Sequence, residues 1–339
     1  MTNQHEITKR MPLLNREGNL TEPGWARGLL WDYHRPDIRA SGMRIKEWDY
    51  YFVSNGHIGL ALTIADNGYM GLDSVSYLGF DEKWEITKSP MRLLPMGKTA
   101  LPETSAAGSS EIARGGYALA FYHDDDGTRK LTFHMDKFRG KDAIEGMISL
   151  SDEPAESMVI ATPFEKSGHF YYNQKINCMR AAGWIELGGA RVELEPETWF
   201  AVLDWGRGVW TYHNTWYWGS ASGELDGVPF GWNIGYGFGD TSAASENVLF
   251  YGGKIHKLSQ VRFEIPMQDG EENYLAPWRF SSDDGRFEMA FTPILNRAAY
   301  TSVGVIKSDQ NQVFGRFTGT AALDDGTVLQ VNDFCGFAE

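Results

Sequence analysis

Tryptophans and polar residues alternate in one short part of the chain. Six of the 12 tryptophans lie between positions 199 and 232. They are Trp199, Trp205, Trp210, Trp216, Trp218 and Trp232, and among them lie Asp204, Arg207, Tyr212, His213, Asn214 and Tyr217, while Asn233 directly follows Trp232. A tryptophan buries a large apolar ring, but its indole N–H needs a partner. Such a segment is typical either of the wall of a ligand pocket or of core packing.

The spacing within this segment allows a more specific interpretation. If residues 209–218 form a strand, Trp210, Tyr212, Asn214, Trp216 and Trp218 share one face. That face would line an apolar cavity with a polar handle, or it would be a packing seam. His213 would lie on the opposite face.

A carboxyl group among indole rings could act as an acid. Burial disfavours the charged form, so the group stays protonated near neutral pH. It could then protonate an alkene, and the aromatic faces would stabilise the resulting carbocation. Asp204 is the first candidate for this acid, although it could instead pair with Arg207. Asp240, at the end of the run GWNIGYGFGD, is the second candidate, although it could simply form a turn.

Two histidines and the remaining aromatic residues complete the predicted site. His213 and His57 could serve as acid, base or polar handle, or each could be an ordinary structural residue. The predicted catalytic residues are Asp204, Asp240 and His213. The predicted substrate-binding residues are Trp205, Trp210, Tyr212, Asn214, Trp216, Trp218, Trp232, Asn233 and His57.

Other kinds of active site lack their motifs. The run MGKTA has Arg92 where a phosphate-binding loop needs its first glycine, and GYGFGD has Asp240 where a dinucleotide fingerprint needs glycine or alanine. Ser220 and Ser222 do not have the spacing of a hydrolase nucleophile. The eight histidines form no HxH or HExxH pattern. We therefore expect neither a metal nor a cofactor.

Composition narrows the partners and the compartment. The 339 residues include 31 Lys and Arg against 45 Asp and Glu, a net charge of -14, without a basic run. Nucleic acids and anionic membrane surfaces bind clustered cations, so neither is expected as a partner. Two distant cysteines, Cys178 and Cys335, favour a reducing compartment. No signal-peptide-like or membrane-spanning apolar run is found, and the sequence predicts a cytoplasmic protein without an integral membrane segment.

Turn signals and strand patterns predict an all-β fold. Hairpin-type pairs such as Asn67-Gly68, Gly188-Gly189 and Asp284-Gly285 separate segments in which apolar residues alternate with period two. Helical periodicity is not sustained. These features are typical of antiparallel strands that form barrels or sandwiches.

The order of the hairpins is repeated. Strand–turn–strand patterns starting at Gly115 and at Trp278 are each followed by a second hairpin, starting at Cys178 and at Gln312. Two consecutive β-units explain the chain length better than one large barrel. The expected organisation is an irregular arm at residues 1–40, one unit at 41–205 and a second at 206–339.

A family resemblance agrees with this division. The run from Phe170 to Trp210 resembles lipocalin-like proteins that include carotenoid 1,2-hydratase and the AttH-type proteins, on Tyr171-Tyr172, Gly183, Gly189, Trp199 and Asp204-Trp205-Gly206. The runs EWDYYFVSNGHIGLALTIADNGYMG, DWGRGVWTYHNTWYWGSASG, FGWNIGYGFGD and GFAE resemble a bacterial family of unknown function related to those proteins. This second resemblance covers nearly the whole chain and implies two lipocalin-like β-barrels. In the hydratase pattern two residues separate Asp from Trp-Gly, whereas here Asp204 directly precedes Trp205, so the role of that Asp is not carried over.

Three functions remain open on the sequence. The first is binding of a lipophilic isoprenoid- or polyketide-like molecule, with cofactor-free, acid-catalysed hydration or cyclisation as its enzymatic form. The second is a non-catalytic carrier of such a molecule, because function does not follow from fold. The third is a carbohydrate-active protein, since aromatic rings stack on sugars and carboxylate pairs hydrolyse glycosides. Glu193, Glu195 and Glu197 alternate on one strand, but three like charges in a row are expected to face solvent.

Overall fold

A computed structural model describes residues 4–124, 126–303 and 306–339. Within these ranges the only helix is a 3-10 turn at Arg35–Asp37, and almost all other regular structure is antiparallel strand. The predicted all-β class is therefore confirmed. None of the described residues forms a helix that is long and apolar enough to cross a membrane.

The first large sheet contains most strands of the first two thirds of the chain. Its hydrogen-bonded order is β7-β6-β5-β4-β16-β14-β12-β11-β10-β9, with β2, β8, β13 and β15 attached at its sides, while β1 and β3 pair separately. The strands are β1 Met11–Pro12, β2 Gly24–Ala26, β3 Trp31–Asp32, β4 Ile45–Ser54, β5 Ile58–Asp66, β6 Met70–Gly79, β7 Trp84–Lys88, β8 Met91–Leu93, β9 Gly108–Arg114, β10 Tyr117–His123, β11 Arg129–Arg139, β12 Asp142–Ser151, β13 Met158–Pro163, β14 Phe170–Leu187, β15 Ala190–Leu194 and β16 Phe200–Val209.

The second large sheet contains the rest of the chain. Its order is β20-β19-β18-β17-β27-β26-β25-β24-β21, and β22 and β23 form a separate hairpin. The strands are β17 Tyr217–Leu225, β18 Val228–Tyr236, β19 Val248–Tyr251, β20 Lys254–Lys257, β21 Val261–Glu264, β22 Met267–Gln268, β23 Glu271–Glu272, β24 Trp278–Ser282, β25 Phe287–Val303, β26 Ile306–Ala322 and β27 Val328–Ala338.

Neither sheet closes on itself in the part of the chain that the structure describes. Strands β7 and β9 end one order, and β20 and β21 end the other. The two closed barrels expected from the sequence are therefore not confirmed. The repeated hairpins are present, as β10–β11 with β14–β15 and as β24–β25 with β26–β27. The division at residues 205/206 stays a prediction, and β16 continues in the first sheet to Val209.

The strand predicted for residues 209–218 is wrong. Strand β16 ends at Val209 and β17 begins at Tyr217, with a loop between them. In this loop the Asn214 amide donates to the carbonyl of Thr211 at 2.6 Å and accepts from its hydroxyl at 2.8 Å. Local side-chain hydrogen bonds of this kind compete with the backbone hydrogen bonds of a sheet. The side chains of this loop therefore do not alternate between two faces.

The two sheets pack against each other through aromatic residues. Phe52 of β4 contacts Phe314 of β26 and Phe337 of β27, with ring centroids 5.2 and 5.6 Å apart. Each sheet also has a separate core of its own. A third apolar cluster, which includes Phe52, Phe314 and Phe337, lies at the junction of the two sheets.

Candidate functional site

Strand β16 faces two different environments. Leu203 and Trp205 belong to the core of the first sheet, whereas Val202 belongs to the cluster between the sheets. Because side chains alternate along a strand, Asp204 lies on the side of the second sheet and Arg207 on the opposite side. Arg207 is fully buried and donates to Asp49 Oδ1 at 3.0 Å. The alternative pairing of Asp204 with Arg207 is therefore wrong.

Asp204 is held by two residues of the neighbouring strand β14. Lys175 Nζ lies 2.9 Å from Asp204 Oδ1, and Asn173 Nδ2 donates to the same oxygen at 2.6 Å. The side chains of Lys175 and Asp204 are 3% and 9% exposed. Both contacts use Oδ1, and neither uses Oδ2. A buried ion pair thus lies on the face of the first sheet that meets the second.

The second sheet brings two further carboxyl groups to this pair. Glu246, between β18 and β19, has its Oε2 4.0 Å from Lys175 Nζ and accepts a bond from Asn233 at 3.3 Å. Glu339, after β27, accepts from Trp216 Nε1 at 2.7 Å. We call Asp204, Lys175, Glu246 and Glu339 the junction cluster. It contains three carboxyl groups and one lysine.

The environment of the junction cluster raises the pKa of its two glutamates. Burial is the largest influence on both, and it raises the pKa of Glu246 and of Glu339 above the ordinary 4.5. The charge of Asp204 raises both pKa values further. Lys175 opposes both shifts, together with Lys257 at Glu246 and Arg297 at Glu339. Both residues keep partial exposure to solvent, which a substrate or a water molecule needs in order to reach them. Groups with this environment suit general-acid chemistry.

Trp218 forms one wall of the junction cluster. Lys175 Nζ lies 4.1 Å from the centroid of the Trp218 ring. The indole N–H of Trp218 donates to Asn233 Oδ1 at 2.7 Å, and its ring lies 4.8 Å from that of Phe337. The ring is thus fixed by polar and apolar contacts, and its face is already used to stabilise a cation.

A second group of rings lies beside the cluster. Phe238 is 4.9 Å from Tyr171, 5.0 Å from Trp210 and 6.1 Å from Trp216, measured between ring centroids. Trp48 stacks on Tyr171 at 6.1 Å. Burial raises the pKa of the Tyr171 hydroxyl, and the charges of Glu246 and Asp204 raise it further, so this hydroxyl stays protonated. These five rings, the aromatic cage, join the junction cluster through Trp216.

A cleft of about 380 Å³ lies between the sheets. Its apolar lining includes Phe52, Val202 and Phe337, and Arg316 lies among its polar lining. Phe337 also contacts Trp218, the wall of the junction cluster. The volume falls in the range of about 300 to 1,000 Å³ that is usual for small-molecule sites. We call this space the inter-sheet cleft.

The structure brings only some of the predicted site residues together. Asp204, Trp216, Trp218 and Asn233 meet at the junction cluster, and Trp210 lies in the aromatic cage. Trp205 and Trp232 are instead packed in the cores of the first and second sheets. These two rings therefore contribute to core packing and do not line a common pocket.

The other predicted residues lie at the surface or in the loop after β16. Tyr212 is 60% exposed, and His213 and Asn214 lie beside it in the same loop. His57 is exposed and lies 3.0 Å from Asp81. Asp240 is exposed, and hydrogen bonds from Ser242 lower its pKa, so it forms a turn and does not store a proton.

Sequence reasoning missed three members of the junction cluster. Lys175 is the first charge in strand β14, within its apolar and amide-rich first half, which is a usable signal for a buried ion pair. Glu339 is the last residue of the GFAE run that carried part of the family resemblance. Glu246 lies in the segment SAASENV, in which no residue pattern indicates a site.

The fold has counterparts among solved structures. The AttH-like protein NE1406 of Nitrosomonas europaea has a TM-score of 0.51 and 13% identity, over 87% of this chain and 91% of that one. Kievitone hydratase of Nectria haematococca has a TM-score of 0.51 and 9% identity, over 97% of each chain. Together these define an all-β protein with an AttH-like and hydratase-like fold.

Residues 4–339 match the family model described as "Domain of unknown function (DUF2804)". The chain belongs to this family, and the relation to AttH-like and hydratase-like proteins expected from the sequence is confirmed. No curated protein matches the chain.

Proposed function

We propose that this protein binds a lipophilic, isoprenoid- or polyketide-like molecule between its sheets and adds water to it, or cyclises it, by acid catalysis. The observation that carries the proposal is the pair of glutamates, Glu246 and Glu339, whose pKa values are raised beside the Asp204–Lys175 ion pair. The hydratase-like fold supports it.

The proposed reaction needs only residues of the junction cluster. One glutamic acid gives its proton to a carbon of an alkene, so a C–H bond forms and the π bond breaks. The carbocation lies against indole faces, whose quadrupole stabilises positive charge. Water or an internal hydroxyl then forms the new C–O bond, and its proton returns to the glutamate. Asp204 raises the pKa of the acid, since a nearby negative charge opposes ionisation.

The test is turnover of lipophilic alkenes in oxygen-18 water, followed by mass spectrometry. We expect products that carry one labelled water, or isomers with unchanged mass. Glu246→Gln and Glu339→Gln keep the shape of the side chain but remove the acid. The variant that removes the reacting acid should lower turnover by about 100-fold or more. Glu264→Gln, at an exposed position of β21, is the control and should be unaffected.

A carrier is the second candidate, because Asp204 is already neutralised by Lys175. Native mass spectrometry of the protein with lipid extracts separates the two functions. Bound lipophilic species without any product would favour the carrier. Absence of both binding and product would contradict both functions. The carbohydrate-active alternative gains no support, since Glu193, Glu195 and Glu197 are all exposed.

A further inference from the structure

Arg316 holds an unusual position in the inter-sheet cleft. It extends from β26, and its Nη2 donates across the junction to the carbonyl of Gly56 at 2.6 Å. Its Nη1 donates to the carbonyl of Asp333 at 3.3 Å. A guanidinium has five N–H donors, so three remain after these two bonds. Two neutral carbonyls fix the side chain but leave its charge uncompensated.

Two acids, Glu224 and Asp333, line the cleft with Arg316, and Arg316 contacts Asp333 through its backbone carbonyl. Among the ion pairs formed by the described residues, none includes Arg316. Glu224, another residue of the cleft, is paired with Arg180, with 2.5 Å between Arg180 Nη2 and the carboxylate. Arg316 is held in place by backbone carbonyls and forms no ion pair among the described residues. In a chain of net charge -14, such an arginine is a candidate binding site for an anion.

The rest of the cleft is suited to an apolar body. Phe52, Val202 and Phe337 belong to the apolar cluster between the sheets and also line the cleft. Phe337 also contacts Trp218, the wall of the junction cluster. A ligand with its charged end at Arg316 would therefore extend along these side chains towards the proposed acids.

We propose that the inter-sheet cleft binds an amphipathic monocarboxylate, with its carboxylate on Arg316 and its apolar body against Phe52, Val202 and Phe337. The planar guanidinium fork matches a carboxylate. A single arginine favours one negative charge over the two of a phosphate monoester. The inference rests on the proposed function for the lipophilic body of the ligand and adds the charged group.

The experiment is calorimetric titration of the full chain with dodecanoate, with dodecanol and with dodecyl phosphate. We expect dodecanoate to bind at least about 10-fold more tightly than dodecanol, as for a charge-assisted hydrogen bond. Arg316→Gln should abolish this preference and leave dodecanol binding unchanged. Arg262→Gln, at an exposed position of β21, is the matched control and should keep it. Arg316→Lys, which keeps the charge without the fork, should show a reduced preference.

Three outcomes would overturn the inference. They are equal binding of dodecanoate and dodecanol, a preference that survives Arg316→Gln, and tighter binding of dodecyl phosphate than of dodecanoate. If Arg316→Gln does not fold, the Arg316→Lys variant and the salt dependence of the preference decide. Glu246→Gln and Glu339→Gln should leave the preference intact. A preference without turnover would thus refute the catalytic proposal alone, and turnover of neutral alkenes without a preference would refute this inference alone.

Discussion

Lys175 is the residue that allows three carboxyl groups to share one buried region. Its ammonium lies 2.9 Å from Asp204 and 4.0 Å from Glu246, and it also lies over the ring of Trp218. Burial nevertheless raises the pKa of Glu246 and of Glu339, against the charges of Lys175, Lys257 and Arg297. The arrangement separates the cluster into an ion pair and two glutamates whose pKa values are raised.

The Asp204→Asn variant should lower the pKa of Glu246 and of Glu339. It removes a negative charge that raises both pKa values, and it frees Lys175 to stabilise the ionised forms. Infrared titration of the protonated carboxyl band gives the readout, with Glu246→Gln and Glu339→Gln assigning the band. Any catalysed reaction needs the acid form, so activity should fall at a lower pH in the variant.

The direction of the pKa shift in Asp204→Asn tests the role of Asp204. A band that titrates at the same or a higher pH in Asp204→Asn would show that Asp204 does not maintain the acids. The free energy of unfolding should also depend on pH. A glutamate whose pKa is raised in the folded state contributes stability at pH values below the ordinary pKa of 4.5. That contribution is lost as pH rises through the raised value.

At the scale of elements, β14 connects the two sheets by a bulge. Its pairing with β16 shifts between Ile176 and Met179, and Cys178 has a positive φ of 66°. The bulge turns the Asn177 side chain towards the second sheet. There its Nδ2 donates to Ser220 at 2.8 Å and reaches the carbonyl of Trp232 at 3.1 Å.

Asn177→Ala should destabilise the protein by about 1 to 3 kcal/mol, because buried backbone carbonyls of the second sheet lose their donor. Urea unfolding followed by circular dichroism measures the change. Asn332→Ala, at an exposed position of β27, is the control and should lie within about 0.5 kcal/mol of the parent. An Asn177→Ala midpoint equal to that of the control would show that the bulge does not hold the sheets together.

The sequence predicted local elements better than their assembly. Gly188 and Gly189 form the expected turn with φ of 59° and 83°, because a tight hairpin needs the left-handed region. The bulge at Asn177 was not predicted, since neither it nor Cys178 is a glycine. The site was found only in part. Asp204 was recognised from its tryptophan neighbours, whereas Glu246 reaches it only through the packing of β18 and β19 on β14.

At the scale of the whole molecule, the arm and the two sheets are joined at several places. The amide of His5 in the arm donates to the carbonyl of Ala243 at 2.8 Å, and Gln4 donates to Leu258 at 2.7 Å. Arg297 of the second sheet donates to Ser76 of the first at 2.7 Å. These contacts act in addition to the aromatic junction. The covalent connection through residues 210–216 is only one of many links.

Chymotryptic cleavage after the exposed Tyr212 should therefore leave one particle. We expect the two fragments to co-elute in size-exclusion chromatography and to separate only in denaturant, because the junction remains buried. Cleavage at Tyr300, which is 68% exposed in the long strand β25, provides the comparison, because it cuts within the second sheet and not between the two sheets. Fragments that separate without denaturant would show that the sheets are independent domains held by the linker alone.

The alternation along β16 has a consequence for protein engineering. Phe200 and Val202 line the inter-sheet cleft, while Leu203 and Trp205 fill the core of the first sheet. Substitutions at Phe200 and Val202 can therefore change specificity with little effect on that core. Gly206 and Gly208 do not tolerate a side chain, because a Cβ would lie 1.9 Å from Trp48 and 2.4 Å from the carbonyl oxygen of Phe170. An insertion or deletion of one residue would exchange the two sets and disturb both. Directed evolution of this strand should use point substitutions at Phe200 and Val202 and should avoid length changes.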